Sequence, residues 1–95
     1  MEDLHQISQS FKALAHKRRV LLFKLLLKNG PKKLSFGQLQ KISKIPVAPL
    51  THHLAFLEKS GLIYRQNKGS HTYFALQLQS FRSVLEAVQI QCGPS

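Results

Sequence analysis

The stretch Leu50-Thr51-His52-His53-Leu54-Ala55-Phe56-Leu57-Glu58-Lys59-Ser60-Gly61-Leu62-Ile63 carries an amphipathic helix, its stop and the start of a strand. Leu50, Leu54 and Leu57 recur at i, i+4 and i+7 and form one apolar stripe. Ala48, Thr51, His52, Ala55 and Lys59 fall on the opposite face, all small or polar. Gly61 supplies the residue that most readily leaves helical geometry. A helix whose outer face is short, hydrogen-bonding and free of acid in its first turns fits a DNA major groove. There Thr, His and Ala can meet phosphates, base edges or thymine methyls. The stretch reads as a recognition helix.

Its start is set by two prolines. Pro49 disfavours helical geometry at Ala48 and is best tolerated at the first helical position, which predicts a helix beginning close to Pro49. Pro46 breaks the chain before it. Upstream, Leu4, Ile7, Phe11 and Leu14 sit at helical spacing and predict a first helix ending at Ala15-His16. A second helix follows over residues 16–28, with Lys17, Arg18 and Arg19 in its first turn. Its apolar body, Val20, Leu21, Phe23 and Leu25 to Leu27, is expected to be largely buried. Asn29-Gly30-Pro31 stops it, and Lys32-Lys33 form a basic loop. Ser35 is the expected N-cap of a two-turn third helix carrying Phe36, Leu39 and Ile42.

After Gly61, Leu62-Ile63-Tyr64-Arg65 and Thr72-Tyr73-Phe74-Ala75-Leu76 are rich in β-branched and aromatic residues. They flank the polar tip Gln66-Asn67-Lys68-Gly69-Ser70-His71, the pattern of a β-hairpin. Phe81, Val84 or Leu85, and Val88 mark a closing helix. The expected architecture is mainly α with a small hairpin wing: four helices, two strands and a fifth helix, a winged helix-turn-helix.

Ninety-five residues are expected to form one domain, 1–95, with a single core and no large internal cavity. Fourteen Lys and Arg face only Glu2, Asp3, Glu58 and Glu86, a net charge of +10. Self-repulsion on that scale is relieved by a polyanion, which puts nucleic acid first among partners and an acidic membrane surface second. The apolar runs are broken by Lys24 and fall far short of the ~20 residues that span a bilayer, and the N-terminus is acidic where a signal peptide is basic. One cysteine, Cys92, forms neither an internal disulfide nor a metal set by itself and fits a reducing, cytoplasmic setting. Four carboxylates, no nucleophile beside a base and no glycine-rich phosphate loop argue against an enzyme, and no cofactor is implied.

The ordered motifs also resemble a family. Phe11-Lys12-Ala13-Leu14-Ala15-His16 with Arg19 resembles the opening signature of ArsR/SmtB-type bacterial and archaeal repressors, and residues 50–63 resemble their recognition helix. Gly69 and Tyr73-Phe74 with Leu76 match their wing. The resemblance implies a homodimer built on the first and last helices that docks two recognition helices and two wings on a near-palindromic operator. Metal-sensing members carry Cys-x-Cys at the third helix or His and carboxylate ligands on the last. Here the corresponding residues are Ser35-Phe36-Gly37 and, on the last helix, only Glu86, with Cys92 beyond, so no three- or four-ligand site can be assembled. No metal or small-molecule effector is evident. Cys92 reads as an inert tail thiol, with an intersubunit pair as the alternative. Pro46 stands where the family often has a capping Ser.

The candidate DNA-binding residues are Val47, Ala48, Thr51, His52 and Lys59 of the recognition helix and its approach, Arg65, Lys68, Ser70 and His71 of the hairpin, and Lys17 and Arg18. The last two oppose the usual preference for acids at a helix start, so either a phosphate or a solvated face accounts for them. Arg19 reads equally as a structural fork between helices. His53 lies about 100° from His52 around the helix and is expected to be a packed, hydrogen-bonded core residue. Phe11, Phe36, Phe56, Phe74 and Phe81 read as core or dimer contacts. The dimer interface is assigned to Leu4, Ile7, Phe11, Phe81, Leu85 and Val88. The expected function is sequence-specific repression through double-stranded DNA. The rivals are a winged-helix module that binds protein, and recognition of double-stranded RNA by shape.

Overall fold

In the computed structural model the described residues are 4–30, 32–77, 79, 82 and 86. They form α1 (Leu4–Ala13), α2 (Lys17–Lys28), β1 (Leu34–Ser35), α3 (Phe36–Ser43), α4 (Val47–Lys59), β2 (Ile63–Lys68) and β3 (His71–Leu76). Gln79, Arg82 and Glu86 are helical, at the place of the expected closing helix. Phe81, Val84, Leu85, Val88 and Cys92 lie outside the described residues.

Each helix starts and stops for a local reason. His16 caps α2 with extended backbone, its Nδ1 accepting from the Arg18 N–H at 3.1 Å. Ser35 caps α3 in a reciprocal box: its hydroxyl accepts from the Gln38 N–H at 3.1 Å, and the Gln38 side chain accepts from the Ser35 N–H at 2.9 Å. Lys44 ends α3 in the left-handed conformation at φ 62°, and Pro46 caps α4 with no side-chain hydrogen bond. The recognition helix begins at Val47, two residues ahead of the expected start at Pro49. In its third position Pro49 lacks only an N–H that has no partner within the first turn, so the ring sits there without breaking the ladder. Gly61, at φ 86°, then turns the chain out of α4.

The core joins Leu22, Phe23 and Leu26 of α2, Leu39 of α3, Leu50, Leu54 and Leu57 of α4, and Leu62, Ile63, Phe74 and Leu76 around the hairpin. The leucine stripe is thus buried as its spacing requires. The body of α2 corrects the sequence reading: Val20, Leu21 and Leu27 are 38%, 39% and 44% exposed. One helix turns one face to a small core, and α2 has more apolar residues than that face accommodates.

A three-stranded antiparallel sheet of order β1-β3-β2 closes the core. β1 pairs Leu34 with Phe74 and Ser35 with Tyr73. Nothing in the sequence marked it, because two residues carry no periodicity. In the hairpin, Ile63 faces Leu76 and Lys68 faces His71, so the strands run further toward the tip than their apolar residues do and leave only Gly69 and Ser70 in the turn. Gly69, at φ 63°, takes the positive dihedral that a two-residue hairpin turn needs at its first position.

Candidate nucleic-acid interface

Ala48, Thr51, His52, Ala55 and Lys59 are all exposed and form the outer ridge of α4, with Val47 exposed at its start. The ridge is flanked on both sides. Toward the wing, Thr51 and Leu54 line a cleft of about 120 Å³ with Phe36, Arg65, Thr72 and Phe74. Toward α1, His52, Ala55, Phe56, Lys59 and Ser60 line a wider cleft of about 430 Å³ with Gln9 and Lys12.

The Thr51 hydroxyl donates to the Val47 carbonyl at 2.9 Å. Its proton is committed within the helix, which leaves its lone pairs to accept from a base amino group and its methyl to meet a thymine. Arg65 is tied back to α4: its Nε and one terminal nitrogen lie 3.1 and 3.0 Å from Glu58 Oε1. Three guanidinium N–H groups remain for a phosphate, and the half-exposed pair holds the wing to the recognition helix only modestly.

The hairpin divides the remaining candidates. Side chains alternate across a strand, so Arg65, paired with Phe74, faces α4, whereas Lys68, paired with His71, lies with Gln66 and Tyr64 on the other face. Lys68 accordingly lines a separate cleft with Lys32, Lys33, Gln66 and Tyr73. Ser70 and His71 are exposed at and beside the turn.

Lys17 and Arg18 are exposed at the start of α2, whereas Arg19 is 9% exposed. Its Nε donates to the Ala13 carbonyl and its guanidinium carbon lies 4.0 Å from the centre of the Phe56 ring. Arg19 therefore ties the end of α1 and the flank of α4 to α2, the structural fork among the two readings. His53 is buried and its ring centre lies 4.5 Å from that of His16. The hydrogen bond expected of it is absent at Nδ1, which has no partner among the described residues. Burial, with His16, Arg19, His52 and Arg18 around it, holds the His53 imidazole below its usual range, so the neutral ring is favoured.

Two residues of the ridge's surroundings escaped the sequence reading. Lys12 stood in the sequence only as part of the signature at residues 11–16, and nothing local revealed that α1 crosses beside α4. Thr72, in the wing cleft, donates to Asn67 Oδ1 at 3.0 Å, and as a strand residue of high β-propensity it carried no other signal. No group of three His, Cys, Asp or Glu able to hold a metal ion occurs among the described residues, nor any helix long and apolar enough to cross a membrane.

Residues 16–65, from the cap of α2 into the wing, match the model of the bacterial regulatory proteins of the arsR family. The chain belongs to the ArsR family. Among its relatives, the arsenical resistance operon repressor of Bacillus subtilis is 30% identical over 84 residues, 88% of this chain and 78% of the relative. The transcriptional activator HlyU of Vibrio cholerae is 28% identical over 75 residues, 79% of this chain and 67% of the relative. Among solved structures, an ArsR family transcriptional regulator superposes with a TM-score of 0.80 at 24% identity, covering 95% of this chain and 90% of that one. The homodimeric winged helix-turn-helix DNA-binding domain of a possible ArsR-family regulator from Mycobacterium bovis superposes at 0.73 with 21% identity, covering 90% and 78%. The fold is a winged helix-turn-helix, and the protein is a DNA-binding transcription regulator of the ArsR family, not an enzyme.

Proposed function

We propose that the protein is a cytoplasmic, homodimeric repressor, one unit over residues 1–95, that occupies a near-palindromic operator. The observation that carries this reading is the α4 ridge itself: five small or polar exposed residues in one row, with a wing on one flank and a basic cleft on the other. In this reading Thr51, His52, Ala48 and Ala55 meet base edges in the major groove. Val47, Lys59, Lys17, Arg18, Arg65, Lys68, Ser70 and His71 position the backbone. Repression as the direction of control rests on the likeness to the Bacillus subtilis repressor, against which the likeness to an activator is weighed by experiment.

Dimerisation through α1 is supported by Leu4 and Phe11, 75% and 48% exposed on one short helix, with Ile7 half-buried between them. Phe81, Leu85 and Val88 complete the proposed interface from the closing helix and lie outside the described residues.

The test uses an operator selected from random duplexes, a scrambled duplex and fluorescence anisotropy over a salt series. Thr51→Ala and His52→Ala are each expected to cost about 1–3 kcal/mol on the operator and much less on the scrambled duplex. Lys68→Ala is expected to weaken both alike and to lower the slope of log affinity against log salt by about one per subunit. Equal losses from Thr51→Ala on both duplexes remove α4 from base reading. A promoter-reporter with the operator between promoter and gene then gives the sign of control.

A further inference from the structure

The wing has a second face, and its chemistry differs from that of the face turned to α4. By strand alternation, Tyr64, Gln66 and Lys68 of β2 and Tyr73 and His71 of β3 share the side of the sheet away from the recognition helix. Lys33, next to Leu34 in β1, joins them: its Nζ lies 5.9 Å from the centre of the Tyr64 ring. With Lys32 these residues form a cleft of about 370 Å³ lined by Lys32, Lys33, Gln66, Lys68 and Tyr73. Every lining side chain carries a donor, three carry a positive charge and none is acidic. Glu58, the acid nearest in sequence to β2, is engaged by Arg65 from the α4-facing side. The cleft is not part of the base-reading surface, since none of its residues lines either cleft beside α4.

Three ammonium groups gathered around one cleft repel one another unless an anion lies among them, and Lys, Gln and Tyr are among the side chains that hold phosphate oxygens. Tyr64 and Lys68 are four residue steps apart along β2, about 13 Å at the rise of a strand, which matches the axial rise of roughly four base pairs. The strip begins at the wing tip with Lys68 and runs back to the loop before β1, so a duplex held by the tip meets it only by continuing past the operator.

We propose that this back face of the wing is a phosphate-binding strip for duplex DNA flanking the operator, with Lys32 and Lys33 as its outer contacts. The proposal rests on the DNA-binding role given to the wing above. It makes the footprint longer than the recognition helices require and draws the flanking DNA up against the sheet. A single strand stacked on Tyr64 and Tyr73 is the competing occupant. The position of the Lys33 ammonium near the Tyr64 ring disfavours it, because a base stacking there would have to displace that cation.

The experiment compares a minimal operator duplex, ending at the two wing tips, with the same operator extended by about one helical turn on each side. The variants are the double substitution Lys32→Ala with Lys33→Ala and its control Lys32→Arg with Lys33→Arg. Lys32 is exposed and Lys33 half-buried, and an unchanged thermal midpoint confirms folding. Wild type is expected to bind the extended duplex more tightly than the minimal one. The alanine pair is expected to lose that advantage, about tenfold at low salt, with the log–log salt slope reduced by about two per subunit. On the minimal duplex it is expected to match wild type, and the arginine pair is expected to restore the advantage. Equal binding of the extended duplex by wild type and the alanine pair overturns the proposal, as does an equal loss on both duplexes. Tight binding of a single-stranded oligonucleotide, abolished by Tyr64→Ala, overturns it in favour of a stacking surface. Failure of wild type to prefer any operator marks instead the failure of the functional reading on which it rests.

Discussion

Replacing Arg19 by Met tests whether the recognition helix is held in place by the fork beneath it. Arg19 is 9% exposed; Met keeps most of its buried aliphatic stem and removes the guanidinium, which donates to the Ala13 carbonyl and lies 4.0 Å from the Phe56 ring centre. A hydrogen bond from a charged donor contributes about 1.5–3 kcal/mol, and a desolvated cation–π contact about 2 kcal/mol. Against these stands the cost of keeping a cation out of water with no carboxylate beside it, which the substitution relieves. The balance is a loss of about 2 kcal/mol, which in a domain of this size lowers the melting temperature by roughly 8–16 °C. Arg19→Lys keeps the charge but has no planar fork to serve the carbonyl and the ring together, and about half that loss is expected. Calorimetry at fixed protein concentration reads the stability, and anisotropy on the operator reads the placement of α4. A variant Arg19→Met that melts within about 2 °C of wild type, or that melts low but binds the operator unchanged, refutes the view that Arg19 positions the recognition helix.

Because the folded pKa of His53 lies below the ordinary 6.5, the unfolded chain binds the extra proton first. Stability is therefore full above that value and falls as pH drops through it toward the lowered folded pKa. The pH dependence of the melting temperature between 7.5 and 5.5 is expected to be steeper for wild type than for His53→Phe, and parallel curves refute the assignment. Zinc, nickel, copper or arsenite titrated against the protein–operator complex is expected to leave it intact, whereas dissociation at stoichiometric metal reveals a ligand set that the sequence reading missed. Light scattering at micromolar concentration is expected to give a dimer that Leu4→Glu with Phe11→Glu converts to monomer, while a monomeric wild type that binds a palindrome tightly removes the proposed interface.

The sequence by itself determined what depends on neighbours within a turn or two of chain. The Leu50, Leu54 and Leu57 stripe, the Ser35 cap, the stops at Gly30 and Gly61 and the existence of a hairpin after Gly61 are local consequences of 3.6- and 2-residue periods and of backbone freedom. They were enough to define a winged helix-turn-helix and the outward ridge of Thr51 and His52. Tertiary structure decided what depends on which surfaces meet. It turned Val20, Leu21 and Leu27 outward because the core admits one face of α2, and it added the two-residue strand β1 because an open edge of β3 was there to pair with. It held the buried ring of His53 against His16, placed Lys12 beside the recognition helix, and set Arg65 and Lys68 on opposite faces of the wing. A charge count places a polyanion near this chain; only the packing of helix against sheet sorts its lysines and arginines into those beside the base-reading ridge and those behind the wing.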